Sequence, residues 1–151
     1  LCRLVLQDGS RNSDCKIKHV NKFVKCEKGV VYRIPLKCGK VYIGQLDRCV
    51  NDRLREHNLS LRNGAGLHLP AHISECGKDN DQKQKAKKLC DATLQGTGIL
   101  CRSTDTLARE LAEAYHIRKS GSSCISAPSV TIVTTVHHPH LRALLFACGH
   151  G

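Results

Sequence analysis

Two short β-branched runs dominate the hydrophobic pattern of the chain. Val30-Val31-Tyr32 leads into Ile34, and Val41-Tyr42-Ile43 follows seven residues later. That composition suits a pleated, half-buried surface. It predicts strands over 30–36 and 41–45. Pro35 has no N–H to donate, so it marks the end of the first strand or an edge position. Lys37-Cys38-Gly39-Lys40 supplies a turn between them, making a hairpin. The period then lengthens. Val50 and Leu54 recur four apart, which predicts a helix over 48–58 with those residues facing the sheet. Asp47 is placed to cap its N-terminus. Asn63-Gly64-Ala65-Gly66 reads as a turn, and 69–76 as a short helix that tolerates Pro70 in its first turn. Residues 77–88 form a polar loop. A third strand is expected over 98–102, around Ile99 and Leu100. The clearest helical period covers 105–119, with Leu107, Leu111, Ala114, Tyr115 and the stem of Arg118 on one side. Gly121 is its stop signal. The organisation is thus an α/β domain over 29–121. Residues 1–28 read as a basic linker or upstream remnant. Residues 122–151 form a tail, with 130–136 its one strand candidate.

At 151 residues with 40% hydrophobic content, the chain can build one core. Aromatics make up only 3%, so that core must rest on Leu, Val, Ile and Ala. No apolar run is long enough to span a bilayer, and the start carries no secretory signal pattern. The chain begins at Leu1 and contains no methionine, so a fragment or a domain cut from a polyprotein is expected. Ten cysteines are spread along it with no C-x-x-C pair. Without a signal peptide they read as free intracellular thiols rather than a secreted disulfide scaffold. Net charge is +11, from 24 Lys+Arg against 13 Asp+Glu. Such a balance favours a polyanionic partner bound in a steeply salt-dependent way.

The charge gains meaning beside the hairpin. Tyr32 and Tyr42 lie ten positions apart, and a basic segment with Arg53 and His57 four apart follows at once. Cleaving a phosphodiester needs an activated water, a stabilised phosphate and a stabilised leaving oxygen. A tyrosine can orient or deprotonate water if its pKa of about 10 is lowered. An arginine offers a permanent charge in a planar fork matched to phosphate oxygens. A carboxylate can hold Mg²⁺ or Mn²⁺, which neutralises the leaving oxygen. Arg48 and Arg55 are candidate contacts to the nucleic-acid backbone. Each residue also has an ordinary reading. Strand tyrosines are usually half-buried, and Arg109 with Glu113 makes an i,i+4 surface pair worth a few tenths of a kcal/mol, roughly.

Taken in order, Gly29-Val30-Val31-Tyr32, Val41-Tyr42-Ile43-Gly44 and Arg53-Leu54-Arg55-Glu56-His57 resemble the GIY-YIG endonuclease domain. The wording from Arg33 to Gln45 is most similar to the version carried by Penelope-type retroelements. The resemblance covers 29–121. It implies a small three-stranded, mainly antiparallel sheet flanked by helices, and a metal-dependent endonuclease that nicks DNA for retroelement insertion. Tyr32 then matches the general base or its partner, and Tyr42 the tyrosine near the scissile phosphate. Arg53 matches the arginine on the following helix, and His57 a histidine that assists proton transfer. Gly44 matches the glycine that allows close approach of substrate. Glu113, with Ile117 four residues on, matches the metal-binding glutamate, and Glu110 is the alternative. Gln45-Leu46-Asp47-Arg48 stands where the family usually has Gln-Thr-Gly-Arg, which removes a hydroxyl cap.

His68, His72 and Cys76 are spaced to line one helix face, and Cys26 and Cys38 could complete four zinc ligands. The resemblance also implies a Cys/His zinc motif, although Leu36 stands where a partner cysteine is expected. The partners expected are DNA and a reverse transcriptase upstream in a parent polyprotein, with no membrane. A DNA target and the basic residues 83–88 point to the nucleus. Two rival functions remain. One is a catalytically decayed basic nucleic-acid-binding domain. The other is a zinc-stabilised interaction module.

Overall fold

Strand β1, Val30–Pro35, is the centre of the sheet and organises everything around it. On one side it pairs antiparallel with β2, Val41–Leu46, placing Tyr32 opposite Gly44 and Ile34 opposite Tyr42. On the other it pairs antiparallel with β3, Gly98–Arg102, with an irregularity between Val31 and Tyr32. These facts come from a computed structural model, which describes residues 15–76 and 90–131. Within them three helices accompany the sheet: α1, Val50–Asn63; α2, Leu69–Glu75; and α3, Thr106–Ser120. The result is a mixed α/β fold, and none of its helices is long and apolar enough to cross a membrane.

Strand alternation divides the interior into two. Val30, Tyr32 and Ile34 point to one face, where Tyr42, Leu46, Val50 and Leu54 of α1, and Leu69 of α2 complete a buried cluster. Val31 and Ile43 point to the other, against Ile117 of α3. Val50 and Leu54 are both fully buried, as their spacing predicts. Complete burial of a residue such as Leu54 is worth about 1.5–3 kcal/mol.

The helix boundaries differ from the sequence reading, for local reasons. Helix α1 starts at Val50 rather than 48, and Cys49, not Asp47, occupies its N-cap position with no side-chain cap bond. The Asp47 carbonyl instead accepts from the Gly29 N–H at 3.1 Å, which ties residue 47 to the entry of β1. Nothing breaks the helix at 58. It runs until Gly64, which takes the left-handed conformation (φ 64°) and donates its N–H to Ser60. In α3 the buried face is Arg109, Glu113, Ala114 and Ile117, while Leu107 is 60% exposed. Of the expected side, Ala114 is buried and Leu111 half-buried, and the Leu107 end is turned outward. The stripe against the sheet carries two charged residues that a hydrophobic count passes over.

Both flanks contribute to the domain. Phe23 and Val24 pack on the tyrosine-side core, and the Val50 N–H donates to the Glu27 carbonyl at 2.9 Å. After a 3₁₀ turn at Gly121–Ser123, the chain runs beside β2. There Cys124 bridges Val41 in parallel, and Ser126 Oγ accepts from the Ile43 N–H at 2.8 Å. The loop 77–88 lies outside the described residues. So does the strand candidate 130–136, apart from Val130 and Thr131, which are not in a strand.

Asp105 sits at the α3 N-cap and accepts from the Ala108 N–H at 2.7 Å. Replacing Asp105 by Ala should lower stability by about 1 kcal/mol in urea unfolding, whereas Asp105→Asn should stay close to the parent.

Candidate functional site

The hairpin and the first helix bring four of the expected residues together. Tyr32 on β1 and Tyr42 on β2 lie on the same sheet face, with ring centroids 6.2 Å apart. They are not directly opposite in register, because Tyr32 faces Gly44. A Cβ at Gly44 would stand 2.9 Å from the Tyr32 hydroxyl and 3.1 Å from a Tyr42 ring carbon. Gly44 is thus the bare position across which both phenols converge. The close approach it serves is that of Tyr32.

His57 comes in from α1, two turns beyond Val50. Its Nε2 is 2.9 Å from the Tyr32 hydroxyl, and its ring meets Tyr42 edge-on at 5.0 Å between centroids. Burial, and then the Arg53 cation, push the His57 pKa down to about 4. At neutral pH the imidazole is therefore uncharged, and its Nε2 can accept from Tyr32. Burial also drives Tyr32 above the ordinary phenol range, aided by Tyr42 and opposed by Arg53. Tyr32 has no exposed surface, while Tyr42 and His57 keep 8% and 9%.

Arg53 forms the solvent side of the group, with 40% of its side chain exposed. Burial works against its charge, but Glu56 and the two tyrosines hold it above the usual arginine range. Glu56 bridges both neighbouring arginines. It accepts from Arg48 at 2.6 and 2.7 Å through its two oxygens and from Arg53 at 3.0 Å. The bond from Arg48 leads in pulling the Glu56 carboxyl down to about 2, so it stays ionised. Arg55 points elsewhere, toward Asp52 at 3.5 Å and His19 at 3.1 Å.

Glu113 is not part of this group. It lies on α3, whose buried stripe packs on the opposite sheet face with Val31 and Ile43. Its Oε2 accepts from the Ser129 N–H at 3.1 Å and from the Ser129 hydroxyl. The i,i+4 surface pair with Arg109 does not form. Arg109 is buried and donates to the carbonyls of Ser103 and Thr104 and to Gln45. Among the described residues no cation lies within ion-pair distance of Glu113, although it is only 5% exposed.

Two groups of side chains among the described residues could hold a metal, and Glu113 belongs to neither. Cys38 at the hairpin turn, His72 and Cys76 on and after α2, and Cys90 converge in one; Cys15, His19, Cys26 and Cys49 converge in the other. In each, the ligand atoms all lie within 4.8 Å of one another. Their thiol and imidazole donors fit zinc better than magnesium. Cys38 Sγ is 3.3 Å from His72 Nε2. Burial raises the Cys38 thiol, but bonds from His72 and the Lys40 backbone outweigh it and bring it to about 7.

These groups re-sort the ligands expected from sequence. His72, Cys76 and Cys38 do meet, but His68 is exposed beside Tyr42 and stays outside both groups. Cys26 belongs to the second set. Cys90 was missed because a polar loop separates it from the rest. The C-x₃-H-x₆-C spacing of Cys15, His19 and Cys26 was the available signal for the other.

Comparison with protein-family models, curated proteins and solved structures gives no match for this chain.

Two measurements check this geometry. His57 has its folded pKa depressed to about 4 from 6.5, so its contribution is complete above pH 6.5 and is lost as pH falls through 4. Stability should fall by up to about 3 kcal/mol across that window. Urea unfolding of His57→Gln against the parent should show that part of the slope removed. Gly44→Ala should force Tyr32 off His57 and destabilise by about 1–3 kcal/mol, with a changed tyrosine absorbance.

Proposed function

We propose that this domain is a GIY-YIG-type, metal-dependent DNA endonuclease of retroelement origin that nicks its substrate. The observation that carries the reading is the convergence of Tyr32, Tyr42, His57 and Arg53, from two strands and one helix, around Gly44. A bare hydrophobic core has no use for three polar rings and a partly exposed arginine at one point.

In this reading Arg53 takes the scissile phosphate, with its planar fork held in place by Glu56. Arg48 extends the cationic surface, and the net charge of +11 supplies the general attraction to DNA. Neutral His57 is the proton acceptor of the site, and Tyr32 is its partner. Tyr32 has no exposed surface, so a water could give its proton to Tyr32, as Tyr32 passes its own to Nε2, only once the site opens. Tyr42 walls the site beside the phosphate. Glu113 is the carboxylate this reading assigns to Mg²⁺ or Mn²⁺, an ion that would neutralise charge on the phosphate and the leaving oxygen; its place on the other sheet face counts against that assignment. The Cys38–His72–Cys76–Cys90 group would hold a structural zinc pinning α2 to the hairpin turn. A DNA target implies work in the nucleus, beside a reverse transcriptase of the parent polyprotein.

A second reading has its own support. Complete burial of Tyr32, and the position of Glu113 on the other sheet face, favour a zinc-stabilised nucleic-acid-binding domain that does not cut.

Supercoiled-plasmid nicking separates the two. EDTA competes for zinc as well, so Mg²⁺ should be withheld rather than chelated. The expected result is nicking that needs added Mg²⁺ or Mn²⁺ and falls by about 10²–10³ in Arg53→Ala. Glu113→Ala should abolish cutting while leaving DNA binding nearly intact. Folded, DNA-binding protein that never nicks would establish the second reading. Normal cutting by Glu113→Ala would remove the metal assignment.

A further inference from the structure

The Cys15, His19, Cys26 and Cys49 group lies away from the tyrosines and has no part in the proposed chemistry. We propose that these four side chains form a structural zinc site that clips residues 15–28 onto the first turn of α1. The inference does not depend on the nuclease reading.

The donor geometry is the first support. His19 Nε2 is 3.2 Å from Cys15 Sγ and 3.3 Å from Cys49 Sγ. Bonds of about 2.0–2.1 Å to nitrogen and 2.3 Å to sulfur put tetrahedral donors roughly 3.5–3.8 Å apart. The four donors, all within 4.8 Å of one another, need only small shifts to reach that arrangement. The His19 side chain has no exposed surface, so its aim at the thiols is set by packing rather than by a surface rotamer.

The surroundings are built around the ligands. His19 Nδ1 faces Asp52 Oδ1 at 3.5 Å, the carboxylate–histidine pairing that orients a metal-bound imidazole. With Nε2 on the metal, the ring proton sits on Nδ1 and is donated to Asp52. Arg55 keeps its own hold on the Asp52 carboxylate at 3.5 Å and yields its contact with Nδ1. The Asn51 amide donates to Cys26 Sγ at 3.5 Å. Asn51 is fully buried and also bonds the Phe23 N–H at 2.8 Å and the Val24 carbonyl at 2.8 Å. Cys49 occupies the N-cap position of α1, where the positive end of the helix dipole favours a thiolate. An amide, a carboxylate and a helix end each support a different ligand.

Ordinary buried thiols do not explain this arrangement. A disulfide would use two sulfurs and leave the third, with His19 and Asp52, unexplained. Two thiolates plus a third and an imidazole select a soft cation over Mg²⁺ or Ca²⁺. The consequence lies in α1, because Arg53 and His57 sit one and two turns beyond Cys49. The site fixes the start of the helix that carries both.

The test is zinc stoichiometry of the full chain, purified under reducing conditions and read by elemental mass spectrometry. The parent should hold about two zinc ions, one per group. Cys15→Ser should lose the N-terminal one, and Cys38→Ser only the hairpin one. Cobalt in Cys38→Ser should then give the visible bands of a tetrahedral three-thiolate site. Asp52→Asn should keep the zinc but bind it about 10–100-fold more weakly in competition with a chelating dye. If Cys38→Ser does not fold, the one-ion difference between the parent and Cys15→Ser still decides. A parent with one zinc, lost in Cys15→Ser and kept in Cys38→Ser, would support this site and remove the hairpin zinc from the proposed function. Unchanged zinc in Cys15→Ser, or a disulfide among Cys15, Cys26 and Cys49 in the reduced preparation, would overturn the proposal.

Discussion

A phenol buried without a partner for its hydroxyl forfeits about 1–3 kcal/mol of what its ring gains, and Tyr32 is buried completely. The bond from Tyr32 to His57 Nε2 resolves that cost, and the rest of the domain is arranged to keep it. Gly44 must be bare for the hydroxyl to reach across β2. Helix α1 must start where Cys49 and Val50 place it for His57 to arrive at the right depth. His57 must stay neutral, which burial and the Arg53 charge ensure. One hydrogen bond therefore couples the sheet register, the helix position and the electrostatics of the face.

A core with so few aromatic side chains has limited means of holding such a bond in place. The two Cys/His groups stand where separate segments of the chain meet. One spans the hairpin turn, α2 and the chain entering at Cys90; the other joins the chain before β1 to the first turn of α1. Cross-links at such points can stiffen a small domain without enlarging its core.

Much of the architecture was legible in the sequence because it obeys simple periods. The hairpin follows from β-branched runs around Gly39, β3 from Gly98 to Arg102, and α1 from Val50 and Leu54. The tyrosine–histidine–arginine group was legible because its members sit on those periodic elements. What escaped depends on long-range pairing. The α1 cap shifted because Asp47 is held by Gly29, which no local pattern reports. The buried face of α3 was misjudged because Arg109 and Glu113 find partners in Ser103, Thr104 and Ser129, distant or outside any helical period. The N-terminal ligands looked like a linker because residues 15–28 have no regular structure of their own and become ordered through Asn51 and Cys49.

The run of chain after α3 has a consequence for where this domain can end. Among the described residues, in the order β2-β1-β3, strand β2 has β1 as its only strand neighbour, so its outer side is an edge. Residues 124–126 cover part of that edge through the Ile125 N–H to Val41 carbonyl bond and the Ser126 hydroxyl. An open edge is a template for self-association. A shortened form that stopped at the glycine after α3 would bare the edge to a second copy and strip Glu113 of Ser129. The few residues past α3 thus guard that edge against a second copy of the chain.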